Sequence, residues 1–480
     1  KNLVIVESPA KAKTIEKFLG PDYVVKSSIG HIRDMPKKDM GVNIENDFLP
    51  TYAISADKKK VVADLKKSAK AAEKIFLATD EDREGEAIAW HLQQALSLDL
   101  DTPRIVFHEI TKGAITKAIK NPRTINTDLV DAQQARRIID RLVGFEISPV
   151  LWRKISGARS AGRVQSPVVR LVVEREREIS AHIPVSTFKV KANLINKDNQ
   201  NLEVKLNKEF SSKEDALSFA EALIEAELIV DLVDTKPSKR SPKAPFITST
   251  LQQEASQKLG FSVKQTMSIA QNLYREGAIT YMRTDSLNLS ELAITGAEEE
   301  IVSKYGKQFH QARRYKTSSS GAQEAHEAIR PTDLTKPTIL GLDDQSSKLY
   351  SLIYKRTLAS QMSDAQLQKT KVTINVSGRS EHFIADGEIL SFAGFLEVYD
   401  YMSSDDRLLP EISSNDVLTL VDMSSRESFS RAKPRYTEAS LVKEIEQMGI
   451  GRPSTFATMI TTVQDRNYVV KDTREGAQRE

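Results

Sequence analysis

Tyr281 and Arg283 stand two residues apart in the run Gly277-Ala278-Ile279-Thr280-Tyr281-Met282-Arg283-Thr284-Asp285-Ser286. In an extended segment that spacing sends both side chains to one face. A phenol beside a guanidinium can attack a phosphate, because the arginine steadies the phenolate and grips phosphate oxygens with paired donors. The other reading is a half-buried strand tyrosine with a solvated neighbour, the commoner fate of such a pair taken alone. A second cluster is acidic: Asp80, Asp82 and Glu84 recur every second residue. If strand geometry continues through them they converge, and converging carboxylates repel unless a cation compensates; a hard, oxygen-liganded ion such as Mg²⁺ fits best. Acidic residues also favour the first turn of a helix, where the dipole welcomes them. On spacing alone both readings stand.

The elements that must hold these groups are legible on either side of them. Leu3-Val4-Ile5-Val6 is a continuous apolar run, as expected for a strand buried on both faces of a parallel sheet, and it delivers Glu7 at its carboxyl end. Ser8 and Pro9 then read as N-cap and first position of a helix that carries Lys11 and Lys13 and closes at Gly20. Val61 to Glu73 has helical spacing, and Ile75-Phe76-Leu77-Ala78-Thr79 is a second buried strand leading into the acidic cluster. In open α/β sheets ligands gather beyond the carboxyl ends of the strands, where Glu7 and Asp80 both fall. Their shared position raises the metal-site reading above the capping one.

At 480 residues the length prior is roughly three domains. With 40% hydrophobic and 28% charged residues the composition is that of a soluble globular protein. A net charge of +3 means that any nucleic-acid surface is a local patch. The absence of cysteine excludes disulfides, zinc ribbons and thiol nucleophiles within this sequence. No apolar run reaches the ~18 residues of a membrane span, so a cytoplasmic location without membrane contact is expected. The first residue is lysine, which suggests trimming.

A strand-terminal glutamate paired with Asp-x-Asp-x-Glu resembles the Toprim domain. Adding Glu7-Ser8-Pro9-Ala10-Lys11-Ala12-Lys13-Thr14, Ala78-Thr79-Asp80 through Trp90, and Ile279 through Ser286, the chain resembles the bacterial type IA DNA topoisomerases over nearly its whole length. The resemblance implies a multidomain α/β plus α+β chain, in which a Rossmann-like Toprim sheet joins helical and β-rich domains in a toroid. It implies single-strand cleavage of DNA through a 5′-phosphotyrosyl bond on Tyr281, strand passage, Mg²⁺-dependent religation and relaxation of negatively supercoiled DNA. Glu7 would act as general acid and base; Lys11, Arg283 and Arg104 would stabilise phosphate charge; His326 would sit near the scissile phosphate. Asp80, Asp82 and Glu84, with Glu7, would hold Mg²⁺. A monomer associated with the bacterial nucleoid is expected, without a nucleotide cofactor. Consistently, no Gly-x-x-x-x-Gly-Lys-[Ser/Thr] phosphate loop occurs.

Between Arg136 and Arg163 seven basic residues (Arg136, Arg137, Arg141, Arg153, Lys154, Arg159, Arg163) face Asp140 and Glu146. That makes a phosphate track, or else a solvated helix face. Ser160-Ala161-Gly162-Arg163-Val164-Gln165-Ser166 favours the track, since small residues let a backbone approach a partner. The resemblance makes this region the single-strand groove, with Arg136, Arg137, Asp140, Ser160, Arg163 and Gln165 as DNA contacts. Arg452 stands before Ser454 and Thr455, either of which could cap the next helix; a phosphate site and ordinary capping are equally open there. The expected division is 1–33 and 52–123 for Toprim; 34–51, 124–183 and 394–480 for the helical groove; 184–240 and 367–393 for a β-rich hinge; and 241–366 for the helical part carrying Tyr281. The family core continues beyond the point at which this sequence ends, so an N-terminal core fragment is expected. The rivals are a metal-dependent nuclease or primase-like Toprim enzyme, for which Tyr281 is incidental, and a catalytically silent single-strand-binding protein. Within the family, a decatenase or the topoisomerase part of a larger enzyme stays open.

Overall fold

A computed structural model describes residues 1–158, 160–316, 326–399 and 408–473. Arg159 and residues 321–325, which precede His326, fall outside them, as does the tail from 474. The strand Asn2–Val6 lies at the centre of a parallel sheet, with Tyr23–Ser27 on one side and Ile75–Leu77 on the other. Its apolar run serves both faces. Val4 and Val6 enter one core with Ile15 and Phe76, while Leu3 and Ile5 enter another with Val62, Leu65, Ile88 and Leu92. Ser8 caps the helix Pro9–Leu19 by accepting the N–H of Lys11, and Gly20, at φ 77°, ends it.

A closed six-stranded barrel forms the second region, its strands running in the order Leu228–Arg240, Ala365–Val376, His382–Phe392, Asn201–Phe210, Ser186–Ile195 and Val417–Phe429. Alternation fills it: Val190, Ala192 and Leu194 point inward and are buried, with Lys189 and Lys191 outside. The helix Lys213–Ile224 plugs it with Phe219, whose ring lies 5.5 Å from that of Phe210 and 6.2 Å from that of Phe383. The strand Val417–Phe429 departs from the expected division, which left 394–480 entirely with the helical groove; it pairs with Ser186–Ile195 along its length. Most of its residues are exposed, so no apolar alternation announced it.

The chain leaves the barrel after Arg240 and re-enters at Ala365. Between these points Thr248–Leu259, Val263–Arg275, Glu291–Tyr305 and Asp344–Ser360 are helices. Their apolar faces share the core that also holds Val4 and Val6, so the segment carrying Tyr281 is welded to the parallel sheet. A further core joins the helix Gln165–Ala181 to Glu438–Gln447 and Phe456–Asp465. Among the described residues no helix is long and apolar enough to cross a membrane.

Candidate active site

The Tyr281 run is not a strand. It follows the helix Val263–Arg275 through a turn at Gly277, whose φ of 76° a side chain disfavours and whose Cβ would stand 2.5 Å from the Ile110 carbonyl. Backbone bonds to separate segments then fix it: Tyr281 N–H donates to the His108 carbonyl at 2.8 Å, Thr280 N–H to the Arg330 carbonyl at 2.9 Å, and Thr284 N–H to Thr248 Oγ1 at 2.9 Å. Tyr281 and Arg283 nonetheless reach one target. The phenol donates to Asp82 Oδ2 at 2.7 Å, and Arg283 Nη1 lies 3.7 Å from the same oxygen. The common face predicted for them is achieved by an irregular loop.

The acidic cluster likewise takes its geometry from a helix rather than a strand. The strand stops at Leu77, and Asp82 is the N-cap of Arg83–Leu96, its Oδ1 accepting the Gly85 N–H at 2.8 Å. Gly85 is obligatory there, since a Cβ would lie 2.0 Å from the Asp80 carbonyl oxygen. Glu84 occupies the first turn. Its carboxylate meets His31 Nε2 at 2.6 Å and accepts from Gln133 at 3.3 Å. Burial would raise that carboxyl, but the His31 contact outweighs it and holds the pKa near 2.

Lys11 is fully buried and bridges the two strand ends, 3.2 Å from both oxygens of Glu7 and 3.0 Å from Asp80 Oδ1. Burial, reinforced by the charge of Asp80, lifts Glu7 to about 7. For Asp80 the same burial is overcome by the Lys11 ammonium, and its pKa is lowered. Tyr281, 4% exposed, has its phenol pushed well above the ordinary value by burial and then by Asp82 and Asp80. A phenol held neutral and a Glu7 lifted toward neutrality thus stand at the same acidic cluster, Tyr281 through Asp82 and Glu7 through its shared contact with Asp80 on Lys11.

Glu7, Asp80, Asp82 and Glu84 line a cavity of about 580 Å³ with His31, Gln133, Arg136, Arg137, Asp140, Arg283 and Ser454. Each of the four carboxylates already has a protein partner, and among the described residues no three acidic or histidine side chains close around one point. Their donor chemistry fits Mg²⁺, which keeps several waters and needs only one or two carboxylates.

Arg104 is placed differently from the expectation. It is fully buried, and its guanidinium donates to the carbonyls of Thr79 at 2.9 Å, Asp80 at 2.7 Å and Ile105 at 2.7 Å, and to Glu86 at 3.2 Å. With its donors spent on the strand end, it positions Asp80 rather than facing the cavity. His326 is buried with its ring centroid 6.2 Å from that of Tyr281, and burial lowers its pKa. Beside it stands His108, paired at 2.5 Å with Glu81, a contact not foreseen. The signal was available: Ile105-Val106-Phe107 is a short apolar run ending at His108, as Leu3 to Val6 ends at Glu7.

Among the residues expected to line the groove, Asp140 pairs with Arg163 at 3.0 Å and Arg137 with Asp34 at 2.6 Å. Ser160 and Gln165 are tied to each other at 3.2 Å, and both accept from Arg466. Arg452 and Ser454 line a smaller cavity of about 70 Å³ with Asp82, Arg136 and Arg283. Neither Ser454 nor Thr455 caps Phe456–Asp465 with its side chain: Thr455, at the cap position, instead accepts the Arg452 N–H at 2.9 Å.

A Toprim domain family model matches residues 2–110, and a DNA topoisomerase model matches residues 124–478. The chain belongs to the DNA topoisomerase family. It is 45% identical to DNA topoisomerase 1 of Streptomyces coelicolor, over 98% of this chain and 56% of that protein. With the Escherichia coli DNA topoisomerase 1 the identity is 44% over 99% of this chain and 59% of the relative. The chain therefore spans a little over half the length of these relatives. Full-length topoisomerase I from Thermotoga maritima superposes with a TM-score of 0.89 at 40% identity, over 98% of this chain and 79% of that one. That likeness bears out the expected combination of a Toprim sheet with helical and β-rich domains in a toroidal fold.

Proposed function

We propose that this chain carries the cleavage centre of an ATP-independent type IA topoisomerase, which relaxes negatively supercoiled DNA by cutting one strand, passing another and resealing. The observation that carries the reading is the hydrogen bond of Tyr281 to Asp82, 199 residues away along the chain, with Arg283 beside the same carboxylate and Lys11 joining Glu7 to the neighbouring Asp80. Tyr281 Oη attacks the phosphorus of a single-stranded segment, and the bond to the 3′-oxygen breaks. The phenol is held neutral, so its proton leaves during attack; Asp82, which accepts its hydrogen bond, is placed to receive it. Glu7, lifted to about 7, protonates the departing oxygen and later removes that proton for resealing. Lys11 and Arg283 stabilise charge on the phosphate. One phosphodiester replaces another, so no external energy is needed.

Glu7, Asp80, Asp82 and Glu84 would hold Mg²⁺, which supplies charge neutralisation for religation. Because Tyr281 is 4% exposed, access of DNA requires its segment to lift from Asp82 and to close back on it before attack. Arg136, Arg137, Asp140, Arg163, Arg452 and Ser454 lead a single strand toward that point, and the protein acts as a cytoplasmic monomer on the nucleoid. The test is a single-stranded oligonucleotide labelled at its 3′ end, incubated with wild type and Tyr281→Phe and trapped with denaturant. Label at protein mass in wild type alone is expected. Shortened DNA free of protein would indicate a nuclease instead, and label on Tyr281→Phe would remove Tyr281 from its role.

A further inference from the structure

Away from the cavity, the helix Lys59–Ala71 carries Lys59, Lys60, Lys66, Lys67 and Lys70, all exposed. At about 100° per residue these five fall within roughly 120° of the helix circumference, while Val62 and Leu65 turn to the opposite side and into the sheet's core. The lysines form a ridge about 16 Å long. The only acid of the helix, Asp64, is taken by Lys26 at 2.6 Å, and among the described residues none of the five lysines has a salt bridge or side-chain hydrogen bond. A solvated helix would ordinarily intersperse both signs.

The ridge begins at the rim of the cleavage cavity. Lys58, preceding the helix, donates to the Ile29 carbonyl at 2.7 Å, and Ile29, Gly30 and His31 line the cavity. Gly30 N–H in turn donates to the Glu7 carbonyl at 2.7 Å. The positive row thus starts one loop away from Glu7 and runs outward. Ile29 itself is half exposed and holds a φ of 54°, rare for a β-branched residue.

We infer that the lysine ridge binds the sugar-phosphate backbone of the duplex flanking the single-stranded segment, with no sequence preference. The inference rests on the cleavage reading above for its choice of DNA. Its chemistry is that of point-charge ammonium groups facing a polyanion, and its length suits about half a turn of duplex. The ridge would anchor the double strand while the cavity holds the single strand.

The test is a variant with Gln at Lys59, Lys60, Lys66, Lys67 and Lys70, and a second with Arg at the same positions. Each is titrated at several salt concentrations with a single-stranded oligonucleotide and with the same oligonucleotide bearing a duplex flank. For the flanked DNA, wild type should show a steeper fall of log K with log salt, and the Gln variant should flatten that slope by up to about 4. The Arg variant should restore it, and single-strand binding and adduct formation should not change. An unchanged slope on flanked DNA would overturn the inference, as would equal losses on both DNAs. Binding of wild type to anionic vesicles, lost in the Gln variant while flanked DNA is unaffected, would also overturn it. If wild type forms no adduct while the ridge slope behaves as expected, the cleavage reading fails and the ridge survives.

Discussion

The barrel and the Tyr281 site bury side chains for opposite ends. Inside the barrel the core residues are apolar and alternate along stretches of the strands, as Leu202, Val204 and Leu206 do. At the sheet's edge the chain instead buries Lys11, Arg104 and Glu86 with exposures at or near zero. Buried charge is stable only when every partner arrives, and a missing partner costs several kcal/mol. The site is therefore where function and folding are expected to fail together, and the barrel where stability is expected to fall without loss of chemistry.

The largest expected effect breaks that contrast at Arg104. Arg104→Ala leaves Glu86 with Arg123 and the Asn126 N–H and strips the carbonyls of Thr79 and Asp80 of their donor. A loss of about 3–5 kcal/mol within the sheet is expected, read as faster amide exchange in Asn2–Val6, together with loss of the covalent adduct. An adduct formed at the wild-type rate would mean that Asp80 needs no such support. In the barrel, Phe219→Ala removes the plugging ring and should cost about 3 kcal/mol. Exchange should quicken in Ser186–Ile195 while cleavage persists. Loss of cleavage in that variant would show that the barrel is coupled to the chemistry.

The two regions also differed in how far the sequence disclosed them. The cap at Ser8, the buried strand ending at Glu7 and most barrel strands follow from local pattern, because their partners alternate or lie within a turn. Tyr281 was recognisable by its neighbours, but its loop geometry was not, since it is set by His108, Arg330 and Thr248 from distant segments. Asp82 could be read as one of three converging strand carboxylates or as part of a helix start, and it is an N-cap that also receives the phenol. Arg104 resembled a phosphate ligand because nothing local reveals that carbonyls 24 and 25 residues away absorb its donors. The division at 393 failed at Val417–Phe429 for the complementary reason that an exposed strand has no apolar period to read.

A subtler test of the contrast is the pH dependence of buried charge at Glu7. Its folded pKa of about 7 lies above the usual 4.5, raised first by burial and then by Asp80. The fold therefore favours the protonated carboxyl, and the associated stability is complete below about 4.5 and is lost as pH rises through about 7. Glu7→Gln carries no such proton. At pH 8 it should be more stable than wild type by as much as about 2–3 kcal/mol, with the difference closing toward pH 4.5. Melting the two proteins side by side across that range reads the effect, and a difference independent of pH would mean that Glu7 is not held protonated by the fold. The size of that difference measures how far burial, reinforced by the charge of Asp80, prepares Glu7 to move a proton.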